Sequence, residues 1–167
     1  MKKHSDTEVI LKVAVLIEKN GKLLLIRERL HPDHPYAWNM VKGSFEPEKD
    51  ADFVSSARRE CWEEARARVN ITKLLNVLSV YQRERKRYFI LVNFVARLVG
   101  DRFGVPPRSM QKKQREDIVE VRLFSKSELR KMKRSEFISN RAYFTIREWL
   151  RGAPRYGLES LKKTPRL

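Results

Sequence analysis

Three glutamates that lie close together, Glu60, Glu63 and Glu64, are the clearest indication of chemistry in this chain. On a helix, their spacing of i, i+3 and i+4 places the carboxylates on one face within about two turns. Clustered carboxylates repel one another, and a divalent cation offsets that repulsion. Mg²⁺, or Mn²⁺ with its similar oxygen preference, is usually held by one or two carboxylates together with substrate phosphates. The cluster therefore predicts a divalent metal site, which Glu60 and Glu64 fit best.

Arg59 immediately precedes this cluster and lies four residues before Glu63. At that spacing the guanidinium can pair with Glu63 on a helix, neutralise part of the cluster and orient a carboxylate. The alternative interpretation is a solvated, charged helix face, which is common in a chain with 35% charged residues.

The glutamates need a helix to position them, and the segment from Phe53 to Arg66 is predicted to form one. Its apolar residues recur at helical spacing, and Asp50 or Asp52 is available as the N-cap. The segments before it, residues 31–38 and 43–52, have no apolar period and are predicted to be loops.

Two predicted hairpins flank this helix. Residues 8–29 contain two stretches rich in β-branched and aliphatic residues on either side of an Asn20-Gly21 turn, and residues 72–100 contain two apolar stretches separated by the charged turn at 83–87. The later elements are predicted to be a basic loop at 101–115, a strand from Ile118 to Phe124, a helix capped by Ser125 with Glu128, and a helix at about 139–150. We expect one domain over residues 1–152, followed by a basic, partly mobile tail at 153–167.

Composition limits the classes of protein to consider. The 167 residues carry a net charge of +16 and are 41% hydrophobic, enough apolar material for one core. No apolar run is long enough to cross a bilayer, no export leader is recognisable, and Cys61 is the only cysteine, expected to be a buried structural thiol. We therefore expect a cytoplasmic protein without membrane association. The positive charge favours polyanionic partners, including RNA, or serves solubility alone.

Gly43, Arg59-Glu60-Cys61-Trp62-Glu63-Glu64 and the following Ala65-Arg66-Ala67 resemble the Nudix box. The resemblance extends over residues 9–150 and implies an α/β/α sandwich with a mixed sheet. It also implies that a divalent metal activates water against a substituted diphosphate. By resemblance, Glu60, Glu63 and Glu64 are metal ligands, with Arg59 as their orienting partner and Arg59 and Glu63 as part of the catalytic group.

The box departs from the family pattern at two places. Lys49 stands where the pattern has Glu, and the spacing from Gly43 to Arg59 is two residues too long, so Glu48, Asp50 or Asp52 substitutes for the missing carboxylate. Arg66 stands where the family ends its helix with a glycine in the left-handed conformation.

Further site residues are expected outside the box helix. Glu116, Asp117 and Glu120 lie in a region where some relatives carry an additional carboxylate. Glu120 is the first candidate for the catalytic base. The alternative interpretation of Glu120 is an outward-facing strand residue. Substrate contacts are expected from Arg27 to a phosphate, from Trp38, with Tyr36, to a base or the site entrance, and from the box glycine Gly43. The two aromatic rings could equally be core packing. His31 and His34 are more simply explained as solvated loop residues.

The leading functional hypothesis is a metal-dependent hydrolase that cleaves the diphosphate linkage of a nucleoside diphosphate derivative, such as a nucleotide, nucleotide sugar or dinucleotide. One alternative is an RNA 5′ pyrophosphohydrolase that holds the RNA backbone with residues 83–87 and 108–115. Another is a non-catalytic Nudix-like module that binds RNA or nucleotides. A homodimer is also compatible with the resemblance, with Tyr143-Phe144 and Trp149 forming either an interface or core packing.

Overall fold

A computed structural model describes residues 7–161 of the chain. Seven strands form one sheet: β1 (Glu8–Lys19), β2 (Lys22–Glu28), β3 (Ala37–Asn39), β4 (Val41–Ser44), β5 (Val69–Gln82), β6 (Arg87–Leu98) and β7 (Ile118–Phe124). Four α-helices accompany it: α1 (Phe53–Ala65), α2 (Arg108–Gln114), α3 (Lys126–Lys131) and α4 (Asn140–Arg151).

The two strands of the first hairpin, β1 and β2, diverge away from their turn, and β3 and β4 pair with them in the space between. β1 and β2 pair with each other only near the Asn20-Gly21 turn, from Ile17↔Leu24 to Lys19↔Lys22. Further from the turn, β4 pairs with β1 over Lys12–Val15 and β3 pairs with β2 over Ile26–Glu28. The chain from β3 to β4 is therefore held between two diverging strands, and Lys42 and Gly43 lie beside the centre of the sheet.

The rest of the sheet extends from the other edges of this hairpin. β6 runs parallel to β1 from Glu8↔Arg87 to Glu18↔Arg97, and β5 pairs antiparallel with β6. β7 pairs antiparallel with the outer edge of β2. The sheet is mixed because β1 and β6 are parallel while the other neighbours are antiparallel.

The pleat of β1 divides the core into two layers. Val13, Val15 and Ile17 pack on the side that α1 covers through Ala57 and Cys61. Ala14 and Leu16 pack on the opposite side, against α3 and α4 residues such as Leu129, Ile146 and Trp149. This period of two places one helical layer on each face of the sheet, so the predicted α/β/α sandwich with a mixed sheet is confirmed.

The predicted hairpins, the box helix, the late strand and the last two helices are all present. Three predicted loops, 31–38, 43–52 and 101–115, contain part or all of a regular element instead. β3 and β4 lie in segments that their sequence left without a strand pattern, and α2 lies inside the predicted loop 101–115. α2 has no side-chain cap at Pro107, and the buried Gln111 holds it by donating to the Pro106 carbonyl at 2.8 Å. Tertiary contacts rather than local propensity account for these elements.

The first part of the predicted tail contacts the sheet. The backbones of Leu74 and Tyr156 exchange two hydrogen bonds, and Leu158 and Leu161 pack against the α1-side core. The rest of the predicted tail, residues 162–167, lies outside the described residues. Among residues 7–161, none of the helices is both long and apolar enough to cross a membrane.

Candidate active site

α1 is fixed at both ends by its own sequence. Asp52 caps the N-terminus by accepting from the Ser55 backbone N–H at 2.7 Å, and the Ser55 hydroxyl accepts in return from the Asp52 N–H. The helix ends at Arg66, whose φ of 52° is left-handed, as expected for the position where the box has glycine. The Arg66 guanidinium lies 3.7 Å from the centre of the Trp62 ring.

Arg59 is the centre of an ion-pair network on this helix. Its Nε and Nη2 each lie 2.8 Å from one oxygen of Asp50, a two-pronged pairing. Its Nη1 donates to Glu60 Oε1 and to Glu63 Oε2, both at 2.8 Å. The predicted pairing of Arg59 with Glu63 is confirmed.

Asp50 resolves the question that the altered box spacing left open. Of the three acids considered, Asp52 is used as the helix cap and Glu48 is exposed. Asp50 is buried, accepts from the Glu46 N–H at 2.9 Å and pairs with Arg59. These hydrogen bonds from Arg59 lower the pKa of Asp50 to about 2, so its carboxylate is a stable counter-charge for the guanidinium.

Gly43 makes room for Glu60. A Cβ at position 43 would overlap the Glu60 carboxylate, because the side chain lies directly against the β4 backbone. The carboxylate of Glu60 can therefore face the cavity from this position only if residue 43 is glycine.

A second group of acids lies beside the network. Glu28, Glu64 and Glu116 each offer a carboxylate oxygen, and these oxygens lie within 4.8 Å of one another. Glu28 and Glu64 are buried, and Glu28 Oε2 has no hydrogen-bond partner among the described residues. These three carboxylates repel one another, and the buried oxygen of Glu28 lacks a hydrogen-bond donor in the described part of the chain. A bound cation would offset the repulsion and give that oxygen a partner.

Three separate elements bring these acids together. Glu28 ends β2, Glu64 is on the last turn of α1 and accepts from the Lys42 N–H at 2.9 Å, and Glu116 precedes β7. The loop at Glu116 is fixed from both sides. Gln111 accepts from the Ile118 N–H at 2.8 Å, and Asp117 pairs with Arg29 at 2.5 Å.

The pKa values of these acids reflect their crowding. Burial, with Glu63 nearby, raises the pKa of Glu60 to about 7 despite the opposing effect of Arg59. Burial and the charge of Glu28 also raise the pKa of Glu64 and of Glu116. Keeping these carboxylates ionised at neutral pH therefore costs free energy, which a bound cation would recover.

Lys42 partly offsets this negative charge. Its Nζ lies 3.0 Å from Glu28 Oε1, which also accepts from Asn39 at 2.6 Å. Burial alone would lower the pKa of Lys42, but Glu28 and Glu64 outweigh it and raise the pKa. Because the lysine contacts only one oxygen of Glu28, the other oxygen stays unpaired.

Glu60 and Glu63 of the first group and Glu116 of the second line one cavity of about 600 Å³. Its walls carry seven basic and four acidic side chains, including Glu60, Glu63 and Glu116. A charged, solvent-accessible cavity with carboxylates at its base suits a phosphorylated ligand held together with a metal ion.

Some of the residues expected at the site lie elsewhere. Glu120 faces Arg27 across β7 and β2, with Arg27 Nη1 3.7 Å from Glu120 Oε2, and neither residue lines the cavity. Leu25, two residues before Arg27, packs into the core on the α4 side, so the pleat directs Arg27 away from α1. Trp38 also lies outside the cavity, with its ring edge-on to Phe124 at 4.6 Å.

The other aromatic, thiol and imidazole groups are accounted for by packing or exposure. Tyr36 donates to Asp117 at 3.1 Å beneath the Arg29 guanidinium. Cys61 is buried in the α1-side core, as predicted, and His31 and His34 are exposed. Trp149 is buried as well, and its indole donates to Glu18 at 2.5 Å.

Sequence reasoning missed Glu28 and ranked Glu116 below Glu120 as a candidate for the additional carboxylate. The signal for Glu28 lies in the alternation of β2. Leu24 and Ile26 face α1, so Glu28, two residues further on, is an acid at a core-facing position. Glu116 carries no such signal, because its direction depends on α2 and on the Asp117 contacts.

Comparisons with known proteins agree with this geometry. The NUDIX domain model matches residues 11–145. Diphosphoinositol polyphosphate phosphohydrolases 3-alpha and 3-beta of Mus musculus are each 31% identical over 84 residues, which is 50% of this chain and 48% of the relative. The match thus spans about half the length of these curated relatives.

The fold also matches solved structures. A NUDIX hydrolase from Nitrosomonas europaea superposes with a TM-score of 0.76 at 22% identity, covering 94% of this chain and 98% of that one. The MutT protein from Methanosarcina mazei Go1 gives a TM-score of 0.64 at 17% identity, covering 89% and 98%. Together with the family match over most of the sequence and the box residues around Arg59, this shows that the chain belongs to the NUDIX domain family.

Proposed function

We propose that this protein is a divalent-metal-dependent hydrolase that cleaves a diphosphate linkage. The observation that carries the proposal is the convergence of Glu28, Glu64 and Glu116 beside a cationic cavity that Glu116 lines, with one buried carboxylate oxygen unpaired among the described residues. The names of the matched relatives and of the similar structures, phosphohydrolases and hydrolases, support the same reaction class.

The donor set fits Mg²⁺ or Mn²⁺. All three candidate ligands are carboxylates, and ligands of a bound Mg²⁺ lie at most about 4 Å apart across the ion. The separation of up to 4.8 Å therefore closes by a small side-chain movement. When bound, the metal would neutralise phosphoryl charge and lower the pKa of a coordinated water.

The protein's own residues prepare the site for this chemistry. Arg59 holds the Glu60 and Glu63 carboxylates in fixed directions, and Asp50 fixes Arg59 in turn by accepting hydrogen bonds from its Nε and Nη2. Glu60 and Glu63 face the cavity, where they can complete the metal shell or accept a proton from water. Lys42 holds Glu28 in place and adds positive charge near the bound phosphates.

Two alternatives remain as proposals. RNA 5′ pyrophosphohydrolase activity is supported by Lys113 of α2 and by Arg115 just after it, which line the cavity, whereas residues 83–87 are not among its lining residues. A non-catalytic binding module was suggested by Lys49 and Arg66 in the box. The pairing of Asp50 with Arg59 argues against the view that Lys49 marks a loss of function, because Arg59 still has a carboxylate partner.

The test compares hydrolysis by the wild-type protein with hydrolysis by Glu64→Gln. With Mg²⁺ and a panel of nucleotides, nucleotide sugars, dinucleoside polyphosphates, inositol pyrophosphates and 5′-triphosphorylated RNA, we expect cleavage products, resolved by chromatography, whose formation chelator abolishes. Since Glu64 is a candidate ligand, Glu64→Gln should lower kcat by about 100- to 1,000-fold. Glu84→Gln, in the exposed β5–β6 turn, is the matched control. Equal activity of Glu64→Gln and Glu84→Gln would contradict the proposal.

The same assay locates the additional carboxylate. We expect Glu116→Gln to lose more activity than Glu120→Gln, because Glu116 lines the cavity and Glu120 pairs with Arg27. The reverse order would restore the sequence-based assignment of Glu120.

A further inference from the structure

The described walls of the cavity carry none of the large aromatic rings on which a nucleobase commonly stacks. Its lining residues include seven basic side chains but no Phe, Tyr or Trp. The nearby rings are engaged elsewhere: Tyr36 lies under Arg29, Trp38 packs on Phe124, and Phe45 packs on Phe53 at 5.0 Å. Base recognition relies heavily on stacking, so the described cavity is poorly equipped to select a base.

The basic side chains of the cavity fall into two classes. Four already have carboxylate partners in the described chain: Arg29 with Asp117, Lys42 with Glu28, Lys49 with Glu46, and Arg59 with its network. Lys12, Lys113 and Arg115 have no ion pair among the described residues, and Lys12 has only the Ser44 hydroxyl, at 3.3 Å. Three cations without an ion-pair partner among the described residues favour the binding of anionic ligand groups in this cavity.

Arg115 joins the cavity to a neighbouring recess. A space of about 190 Å³ is lined by Arg29, His31, Arg115 and Asp117, among others, and both Arg29 and Arg115 also line the main cavity. Arg29 is fixed by Asp117 and by the Pro32 carbonyl. Arg115, at the left-handed end of α2, is thus the unpaired guanidinium that can contact ligands on both sides.

We infer that this site selects a substrate with several closely spaced phosphate groups and no bound nucleobase, and that Lys113 and Arg115 are its specificity-determining residues. The inference rests on the proposed function. The carboxylates and their metal would hold the diphosphate that is cleaved, while Lys12, Lys113 and Arg115 bind the phosphates that do not react. The same chemistry occurs in a multiply phosphorylated polyol and in a linear inorganic polyphosphate.

A binding experiment tests the two cations without turnover. Inositol hexakisphosphate and inorganic tripolyphosphate are titrated into the chelator-treated protein by calorimetry, one probe for each source of clustered phosphates. We expect the Lys113→Ala/Arg115→Ala double variant to bind the preferred probe about 100-fold more weakly, on the order of tenfold for each charged contact. The probe that loses more affinity identifies the source. Lys112→Ala is the matched control, since Lys112 is exposed on the same helix and does not line the cavity.

Turnover provides the second arm. With Mg²⁺, we expect kcat/KM for an inositol pyrophosphate or for tripolyphosphate to exceed that for ADP-ribose, a dinucleoside polyphosphate and 5′-triphosphorylated RNA. We also expect the double variant to lose this preference, because its kcat/KM falls more for the substrate with clustered phosphates than for ADP-ribose. A preference for any nucleotide or RNA substrate, or equal binding by the double variant and Lys112→Ala, would overturn the inference.

The two proposals fail in different ways. If no compound is hydrolysed with metal, but tripolyphosphate or inositol hexakisphosphate binding still depends on Lys113 and Arg115, the hydrolase proposal is wrong and the polyphosphate site stands. If ADP-ribose is hydrolysed in a Glu64-dependent manner and the double variant behaves like Lys112→Ala, the hydrolase stands and the specificity inference is wrong.

Discussion

Two groups of acids contribute lining residues to the same cavity, Glu60 and Glu63 from one and Glu116 from the other, and their charges are balanced in different ways. Around Arg59, the carboxylates of Asp50, Glu60 and Glu63 share one guanidinium at 2.8 Å. In the second group, Glu28, Glu64 and Glu116 face one another, and Lys42 contacts only one of them directly through its side chain. Both groups therefore set three carboxylates against one cation, but the guanidinium contacts all three acids of the first group, whereas the ammonium of Lys42 contacts only one acid of the second.

This difference separates a structural role from a functional one. Pairing with Arg59 makes Asp50 a contributor to stability, as its lowered pKa indicates. The raised pKa values of Glu64 and Glu116 show that their ionised forms are disfavoured by burial and by Glu28. Proteins keep such groups mainly where a ligand offsets the cost, so the second group is the better candidate for metal binding. Glu60 of the first group shares one property with the second, because it pairs with Arg59 and still has a raised pKa.

The largest effect is expected from Gly43→Ala, which breaks the contact between β4 and Glu60. The new Cβ would overlap the Glu60 carboxylate and displace it from the cavity. We expect kcat for diphosphate hydrolysis to fall by at least about 100-fold. Gly104→Ala is the control, since a Cβ there meets no atom within 4 Å. If the two variants retained equal activity, the position of Glu60 would not matter for the reaction.

A smaller effect concerns the pH dependence of stability in metal-free protein. The pKa of Glu60 is about 7 in the folded protein, against 4.5 ordinarily, so the folded state binds more protons between these values. The free energy of unfolding should therefore fall as pH rises from about 4.5 to 7, by about 3 kcal/mol from this group. Urea unfolding in chelator measures it. Glu60→Gln should remove this part of the decline, and an unchanged decline would assign it to Glu64 or Glu116 instead.

The smallest effect is expected from Asp50→Asn, and it has the opposite sign. The pKa of Asp50 is lowered to about 2 from 3.8, so its pairing with Arg59 is fully present above about pH 4 and is lost as pH falls towards 2. Asp50→Asn should cost about 1 to 2 kcal/mol of unfolding free energy at pH 7 and almost nothing near pH 2. Asp33→Asn, in an exposed loop, is the control. A penalty for Asp50→Asn that persists at pH 2 would point to packing rather than charge.

The turns, helices and caps that the sequence predicted correctly depend on residues close together in the chain. The turn at Asn20-Gly21, the apolar spacing of α1 and the Ser125 capping box are all encoded within a few residues, and the structure contains each of them. The pairing of Arg59 with Glu63 belongs to the same class, because helical spacing fixes it.

The features that sequence reasoning missed depend on residues far apart in the chain. α2 is held by Gln111 and by contacts beyond the helix, and β3 and β4 exist because β1 and β2 diverge. Glu116 faces the cavity rather than solvent because Asp117 is fixed by Arg29, 88 positions away. Pattern and propensity describe neighbours in sequence and cannot supply these contacts.

The parallel pairing of β1 with β6 has a consequence for folding kinetics. Glu8 pairs with Arg87 and Glu18 with Arg97, so the centre of the sheet forms only after a long segment of chain has closed on itself. Such non-local contacts slow folding. Glu28, Glu64 and Glu116 also come from segments far apart in the chain, and Glu116 is positioned only once β7 pairs with β2, so a partly folded chain lacks the complete set of acids. A metal that needs all three would bind after the rate-limiting step, and would lengthen the lifetime of the native state without accelerating its formation.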